Sequence, residues 1–339
     1  MSHTLRLMVV GFGALTLGVT ARAQSITGAG STFAAPIYAK WGDAAHGDTG
    51  VTLNYQAIGS GAGQAQIFNS TVDFGASDAP VPAEKLAAHH LLQFPTVMGG
   101  VVVIVNIPGV ATNKLRLDGP TLADIYLGNI TSWNDQKIKA LNPGLKLPDL
   151  DIAPVYRADG SGTTFVFTDY LSMVSPGWAH DVGKGTSVKW ASGQGAKGSA
   201  GVAGEVKNIS GGIGYVESAY AANNGLTTTA LKNKSGQFVT PGMPAYIASA
   251  KNADWTSAAN FAVDLNDEPG AASWPIESAT FVLLPLDPKS KTQSDAVLKF
   301  FGWGLDHGDQ AALQLQYVPL PASVKQAVKA SWAAIKPQG

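Results

Sequence analysis

The chain has 339 residues, more than one typical core accommodates and about right for two domains. Hydrophobic residues make up 45% and charged residues 14%, a packed composition that excludes a disordered chain. The formal charge is −1, which excludes a partner recognised by bulk charge, such as nucleic acid or an anionic membrane; any anion must be held by local geometry.

The N-terminus predicts export. Arg6 precedes an apolar run over residues 7–19 that ends at Ala21-Arg22-Ala23. A charged start, an apolar middle and an A-x-A site make a signal peptide, residues 1–23, cleaved before Gln24. The apolar run is too short for a membrane anchor, and none of spanning length follows it. The sequence contains no cysteine. The expected product is therefore soluble in the periplasm, without disulfides, thiolate metal ligands or an N-terminal lipid anchor.

After Gln24, Thr27-Gly28-Ala29-Gly30-Ser31-Thr32-Phe33 feeds a helix with Ile37, Tyr38 and Trp41 near one face and Pro36 in its first turn. Residues 51–55 read as a strand and run into Ile58-Gly59-Ser60-Gly61-Ala62-Gly63 and a short helix over 64–69. Ser77-Asp78-Ala79-Pro80 is a turn that ends a short strand. Residues 82–90 read as a helix. Residues 92–95 and 99–105 read as two buried strands, the second continuously β-branched. Short helices are predicted over 121–127 and 135–141. A strand over 152–155 enters Arg157-Ala158-Asp159-Gly160-Ser161-Gly162-Thr163-Thr164-Phe165, and a helix leads out to Val174. Residues 192–204, rich in Gly, Ala and Ser, read as a flexible loop or linker in preference to a direct ligand contact. Residues 211–216 and 279–284 read as strands. Two core-facing helices close the chain, the first capped near Ser294 and the second carrying Val324, Val328, Trp332 and Ile335. This layout predicts one α/β lobe from 24–104 with 281–339 and a second from 105–280. Crossovers near Val105 and Phe281 would act as hinges, with the ligand between the lobes.

The turns at 28–33, 59–63 and 160–164 each open a helix, where N–H groups lack intrahelical partners and the dipole favours an anion. Gly, Ser and Thr also build ordinary helix caps, so one such turn decides nothing. Three of them, with the planar donor fork of Arg157, point to a tetrahedral oxyanion. A carboxylate at Asp78 would repel an anion unless the ligand carries a proton for it to accept. Hydrogen phosphate carries one near neutral pH and sulfate does not. The alternative for Asp78 is an ordinary turn residue before Ala-Pro.

Catalytic motifs are missing. No serine has the G-x-S-x-G elbow. Residues 160–164 lack the spacing and lysine of a P-loop, and Gly59-Ser60-Gly61-Ala62-Gly63 lacks the dinucleotide fingerprint. Of the six histidines only His89-His90 are adjacent, and neighbouring residues on a helix face different ways. That pair reads as solvated, so no metal or cofactor is expected.

In these motifs the sequence resembles the periplasmic phosphate-binding protein of the high-affinity phosphate ABC transporter, the PstS family. The resemblance runs through Thr27 to Phe33, Asn54 to Ser60, Val72 to Pro80, Phe94-Pro95-Thr96, Ile125 to Gly128, Arg157 to Thr163, Ile213 to Val216 and Trp274-Pro275-Ile276, in family order. It implies an α/β, two-lobed periplasmic binding protein fold of type II with two crossover hinge strands, a monomer that closes on inorganic phosphate. The family's ligand contacts would fall on Thr32, Phe33, Ser60, Asp78, Arg157, Ser161, Gly162 and Thr163, with Asp159 orienting Arg157. The implied partners are a membrane permease and its ATPase. Two departures stand out: Ala34 replaces a usual proline, and Gly61 a common second serine. A binding protein for another oxyanion or a phosphorylated compound, and a secreted phosphatase-like enzyme, remain as alternatives.

Overall fold

The structure, a computed structural model, describes residues 24–255 and 258–338. The expected signal peptide lies outside these residues. Among the described residues no helix is long and apolar enough to cross a membrane.

Strands are β1 (Gln24–Gly30), β2 (Val51–Gln56), β3 (Phe74–Ser77), β4 (Leu91–Asn106), β5 (Arg116–Leu117), β6 (Ala153–Arg157), β7 (Gln194–Ala196), β8 (Gly212–Glu217), β9 (Thr227–Thr228), β10 (Ala230–Lys232), β11 (Phe238–Val239), β12 (Glu277–Pro285) and β13 (Val318–Pro319). A large mixed sheet runs in the order β2-β1-β3-β12-β4-β8-β6-β7, and β5, β10 and β11 form a small separate one. At one end β2, β1 and β3 are mutually parallel, and at the other end so are β8, β6 and β7. Antiparallel β12 and β4 join the two groups. Helices between successive parallel strands pack on the faces, as parallel pairing requires.

The apolar strand character explains β4. Val101, Val102, Val103 and Ile104 are fully buried, the environment that continuous β-branched runs select. Where two strands were expected over 92–105, the structure has a single 16-residue strand. Pro95, which lacks a ladder donor, sits opposite Phe281 at the point where the β12 register shifts, a bulge that accommodates it. Along β4 the partner changes from β12, paired up to Gly100, to β8, paired from Val101.

Each parallel group has its own aromatic core. Tyr38 and Phe74 meet the Phe301 ring edge-on at 5.7 and 5.0 Å. In the other group the Phe167 ring stacks on Tyr215 at 4.2 Å, and Tyr156 on Trp190 at 4.9 Å. Phe301 lies on the helix Lys291–His307, which buries Val297, Phe300 and Leu305 on the same face. Its cap is Ser290, whose Oγ accepts from the Gln293 N–H at 3.2 Å, and not Ser294. The helix is one polar turn longer at its start than its apolar stripe, which begins at Ala296.

The stretch 192–204 corrects the expectation of a linker. It forms β7, paired in parallel with β6, and then the helix Gly198–Asn208, which buries Val202, Ala203 and Val206. His89 and His90 are exposed as expected, with His89 stacked on Phe68 at 4.1 Å.

Candidate functional site

Every polar residue singled out from the sequence follows the C-terminal end of a parallel strand. Ser31, Thr32 and Phe33 follow β1, Ser60 follows β2, Asp78 follows β3, and Asp159 to Thr163 follow β6, which ends at Arg157. Carboxyl ends of parallel strands are where α/β sheets bind ligands, because helix N-termini collect there. The two parallel groups point these ends at one another across the β4–β12 junction.

The faces touch. The Gly61 N–H donates to Gly160 O at 2.9 Å. A Cβ at Gly61 would lie 3.1 Å from Gly160 Cα, so any side chain here would crowd the facing turn. Gly59 has φ +93°, and a Cβ there would lie 2.3 Å from Asp159 Oδ2.

Asp78 is the centre of the first face and is 2% exposed. Its Oδ1 accepts from Ser31 Oγ at 2.5 Å and Thr280 Oγ1 at 2.7 Å, which fills that oxygen. Its Oδ2 receives only a long 3.4 Å contact from Ser60 Oγ, so accepting capacity remains. Burial pushes the carboxyl above the ordinary aspartate range, against the lowering effects of Ser31, Thr280, Arg157 and Ser60.

Arg157 is the centre of the second face and is 4% exposed. Nε donates to Asp159 Oδ1 at 2.8 Å and Nη2 to Asp159 Oδ2 at 2.5 Å, a two-point grip that fixes the guanidinium plane. Nη1 donates to Ser199 Oγ at 3.3 Å. Of the five guanidinium N–H groups, one on each terminal nitrogen is left for a ligand. Burial works against ionisation of Asp159, but Arg157 outweighs it and holds the carboxyl below the ordinary range; the Gly198 N–H adds a bond at 2.9 Å.

Between these centres lie donors without partners. Ser161 caps the helix Gly162–Val174 by accepting from the Thr164 N–H at 3.0 Å. That leaves the Gly162 and Thr163 N–H groups free of intrahelical bonds, as at any helix start. Thr163 Oγ1 is buried with no hydrogen-bond partner. The N–H groups of Thr32 and Phe33 donate to no other group among the described residues. The arrangement offers N–H and O–H donors, one cation and one acceptor, which suits a tetrahedral oxyanion carrying a proton.

Sequence reading missed Ser199, Thr280, Tyr215 and Glu217. Thr280 lies 202 residues from Asp78, and no local pattern signals it. Tyr215 hydroxyl accepts from the Arg157 N–H at 3.2 Å and pairs with Thr164 Oγ1 at 2.7 Å, bracing both ends of the 157–164 turn. Glu217, at the end of β8, is fully buried and neither carboxyl oxygen has a hydrogen-bond partner. Burial pushes that carboxyl well above the ordinary glutamate range. Among the described residues no group of three or more His, Asp or Glu could hold a metal ion.

Two parallel α/β groups, joined by strands that cross between them and facing each other through polar turns, define a two-lobed solute-binding protein. A profile of the PBP superfamily domain matches residues 17–303. Phosphate-binding protein PstS of Pasteurella multocida is 50% identical over 329 residues, spanning 97% of this chain and 96% of its own. Its namesake in Haemophilus influenzae is 49% identical over 320 residues, spanning 94% and 96%. In fold, a phosphate-binding protein from Stenotrophomonas maltophilia superposes with a TM-score of 0.70 at 20% identity, over 91% of this chain and 93% of that one. The chain belongs to the PstS phosphate-binding protein family, and with that it is an exported protein.

Proposed function

We propose that this protein is a phosphate receptor and not an enzyme. It captures hydrogen phosphate between its lobes and delivers it to the membrane permease of an ABC importer, driven by the associated ATPase. In this reading the N–H groups of Thr32, Phe33, Gly162 and Thr163 and the hydroxyls of Thr32, Ser60, Ser161 and Thr163 surround the phosphate oxygens. Arg157, held by Asp159, supplies the charge, and Asp78 accepts the phosphate proton. Residues 24–104 with 281–339 form one lobe and 105–280 the other. Cleavage before Gln24 would release a soluble periplasmic protein without a lipid anchor, in keeping with the absence of cysteine.

The observation that carries the reading is Asp78. A buried carboxylate facing an anion site, with one oxygen saturated and the other open, is unfavourable for a fully ionised oxyanion and favourable for one that brings a proton. Calorimetry on the ligand-stripped mature protein tests it: one phosphate should bind per chain, and sulfate in large excess should not displace it. Equal affinity for the two anions would falsify the assignment.

A further inference from the structure

Ser199 has no role in the reading above, yet its hydroxyl stands where the lobes meet. It lies 2.9 Å from Thr32 Oγ1 and 3.3 Å from Arg157 Nη1, and the residue is 1% exposed. Thr32 follows β1 and Ser199 opens the helix after β7, and the β12–β4 junction separates β1 from β7 in the sheet order. No sheet pairing joins these two elements, so their contact exists only while the lobes are together.

One half of the contact has a fixed direction. Arg157 can only donate, so Ser199 Oγ accepts from Nη1, while between Ser199 Oγ and Thr32 Oγ1 either hydroxyl can be the donor. The result is a hydrogen-bonded chain from the guanidinium of one lobe, through Ser199, to the hydroxyl of the other. Each link polarises the next in a dry setting. The Glu217 carboxyl is a third neighbour of Ser199: it does not meet hydrogen-bond geometry, but the serine hydroxyl acts on it in the lowering direction against burial.

We propose that Ser199 is a positioning residue for lobe closure: its hydroxyl ties Thr32 to Arg157 across the cleft and so sets how long the ligand is held. The proposal rests on the phosphate-receptor reading. Encounter with the open cleft precedes the tie, so association does not depend on it, whereas release requires it to break.

The test compares wild type with Ser199→Ala and with Ser199→Gly, which removes the hydroxyl at the first turn of the helix and adds no bulk. Release of radiolabelled phosphate, chased with unlabelled phosphate, should be about 3- to 10-fold faster in both variants, the range expected for one lost hydrogen bond. Association rate, preference over sulfate and the melting temperature of stripped protein should stay at wild-type values, which a merely structural role would not leave intact. Wild-type release rates in a folded variant, or a slowed association equal to the loss of affinity, overturn the latch alone. Failure of wild type to bind phosphate overturns the receptor reading and the latch with it.

Discussion

Gly162 packs on Asp78 so closely that a Cβ at 162 would lie 2.6 Å from the Asp78 Cβ and 2.7 Å from its backbone nitrogen. The same Cβ would come within 2.5 Å of Ser60 Oγ. Gly162 opens the helix beyond Arg157, while Asp78 and Ser60 belong to the facing group of strands, so this is where the two halves touch. Gly162→Ala should therefore leave each half folded, alanine being the better helix former, and hold the cleft ajar. Phosphate affinity should fall about tenfold or more, equivalent to ~1.4 kcal/mol of closed-state contact. Small-angle scattering should show a phosphate-saturated variant that does not contract as wild type does. Wild-type affinity and contraction would remove the close-approach argument.

Asp78→Asn keeps the size of the side chain and replaces a pure acceptor with a group that also donates. Phosphate loses a charge-assisted hydrogen bond, about 1.5–3 kcal/mol. Sulfate, which has no proton to offer, gains a donor where it met a carboxylate. Competition of sulfate against labelled phosphate should show the preference for phosphate reduced by about 10²-fold or more. An unchanged preference would mean that Asp78 does not read the ligand's proton.

The sequence carried the parts of this site whose chemistry is local. Ser161 caps its own helix three residues on, Asp78 ends its own strand, and Arg157 is two residues from the carboxylate that orients it. Ser199 and Thr280 were illegible because their partners lie 167 and 202 residues away. The glycines of 192–204 imitate a linker, but Gly193 is there for a close approach: a Cβ would lie 2.3 Å from Pro154 O on the neighbouring strand. In β4 the expected gap falls at residues 96–98, between Pro95 and the pair Gly99-Gly100, where the strand runs on. Gly100 in fact lies under the Tyr246 ring, where a Cβ would come within 2.2 Å, and Pro95 sits at the bulge.

The two-point grip of Asp159 on Arg157 separates orientation from charge. Arg157→Lys keeps the charge but loses the fork that can hold Asp159 and a phosphate at once. Its phosphate affinity should fall by about 2–3 kcal/mol, as for a lost charged hydrogen bond. Asp159→Asn still offers one acceptor and should cost about 1 kcal/mol in affinity. Isothermal titration of both variants checks the order; a larger loss in Asp159→Asn would place the dominant effect in the orienting pair and not in the ligand contact.

Glu277 is 1% exposed at the start of β12, opposite Gly100, and neither of its carboxyl oxygens has a hydrogen-bond partner. Burial pushes its carboxyl well above the ordinary glutamate range, with Ser249 acting in the lowering direction and Glu268 in the raising one. Below the unfolded-state pKa of glutamate both states hold the proton and burial carries no titration penalty. As pH rises, the unfolded chain loses its proton first and the folded chain keeps it, so stability falls by up to about 1.4 kcal/mol per pH unit for this group. That loss continues until the folded-state pKa is passed. Glu277→Gln, which has no proton to lose, should match wild type near pH 4 and exceed it increasingly toward pH 8. Urea midpoints across that range measure the difference. Parallel wild-type and variant curves would mean that Glu277 is already ionised in the folded protein at neutral pH.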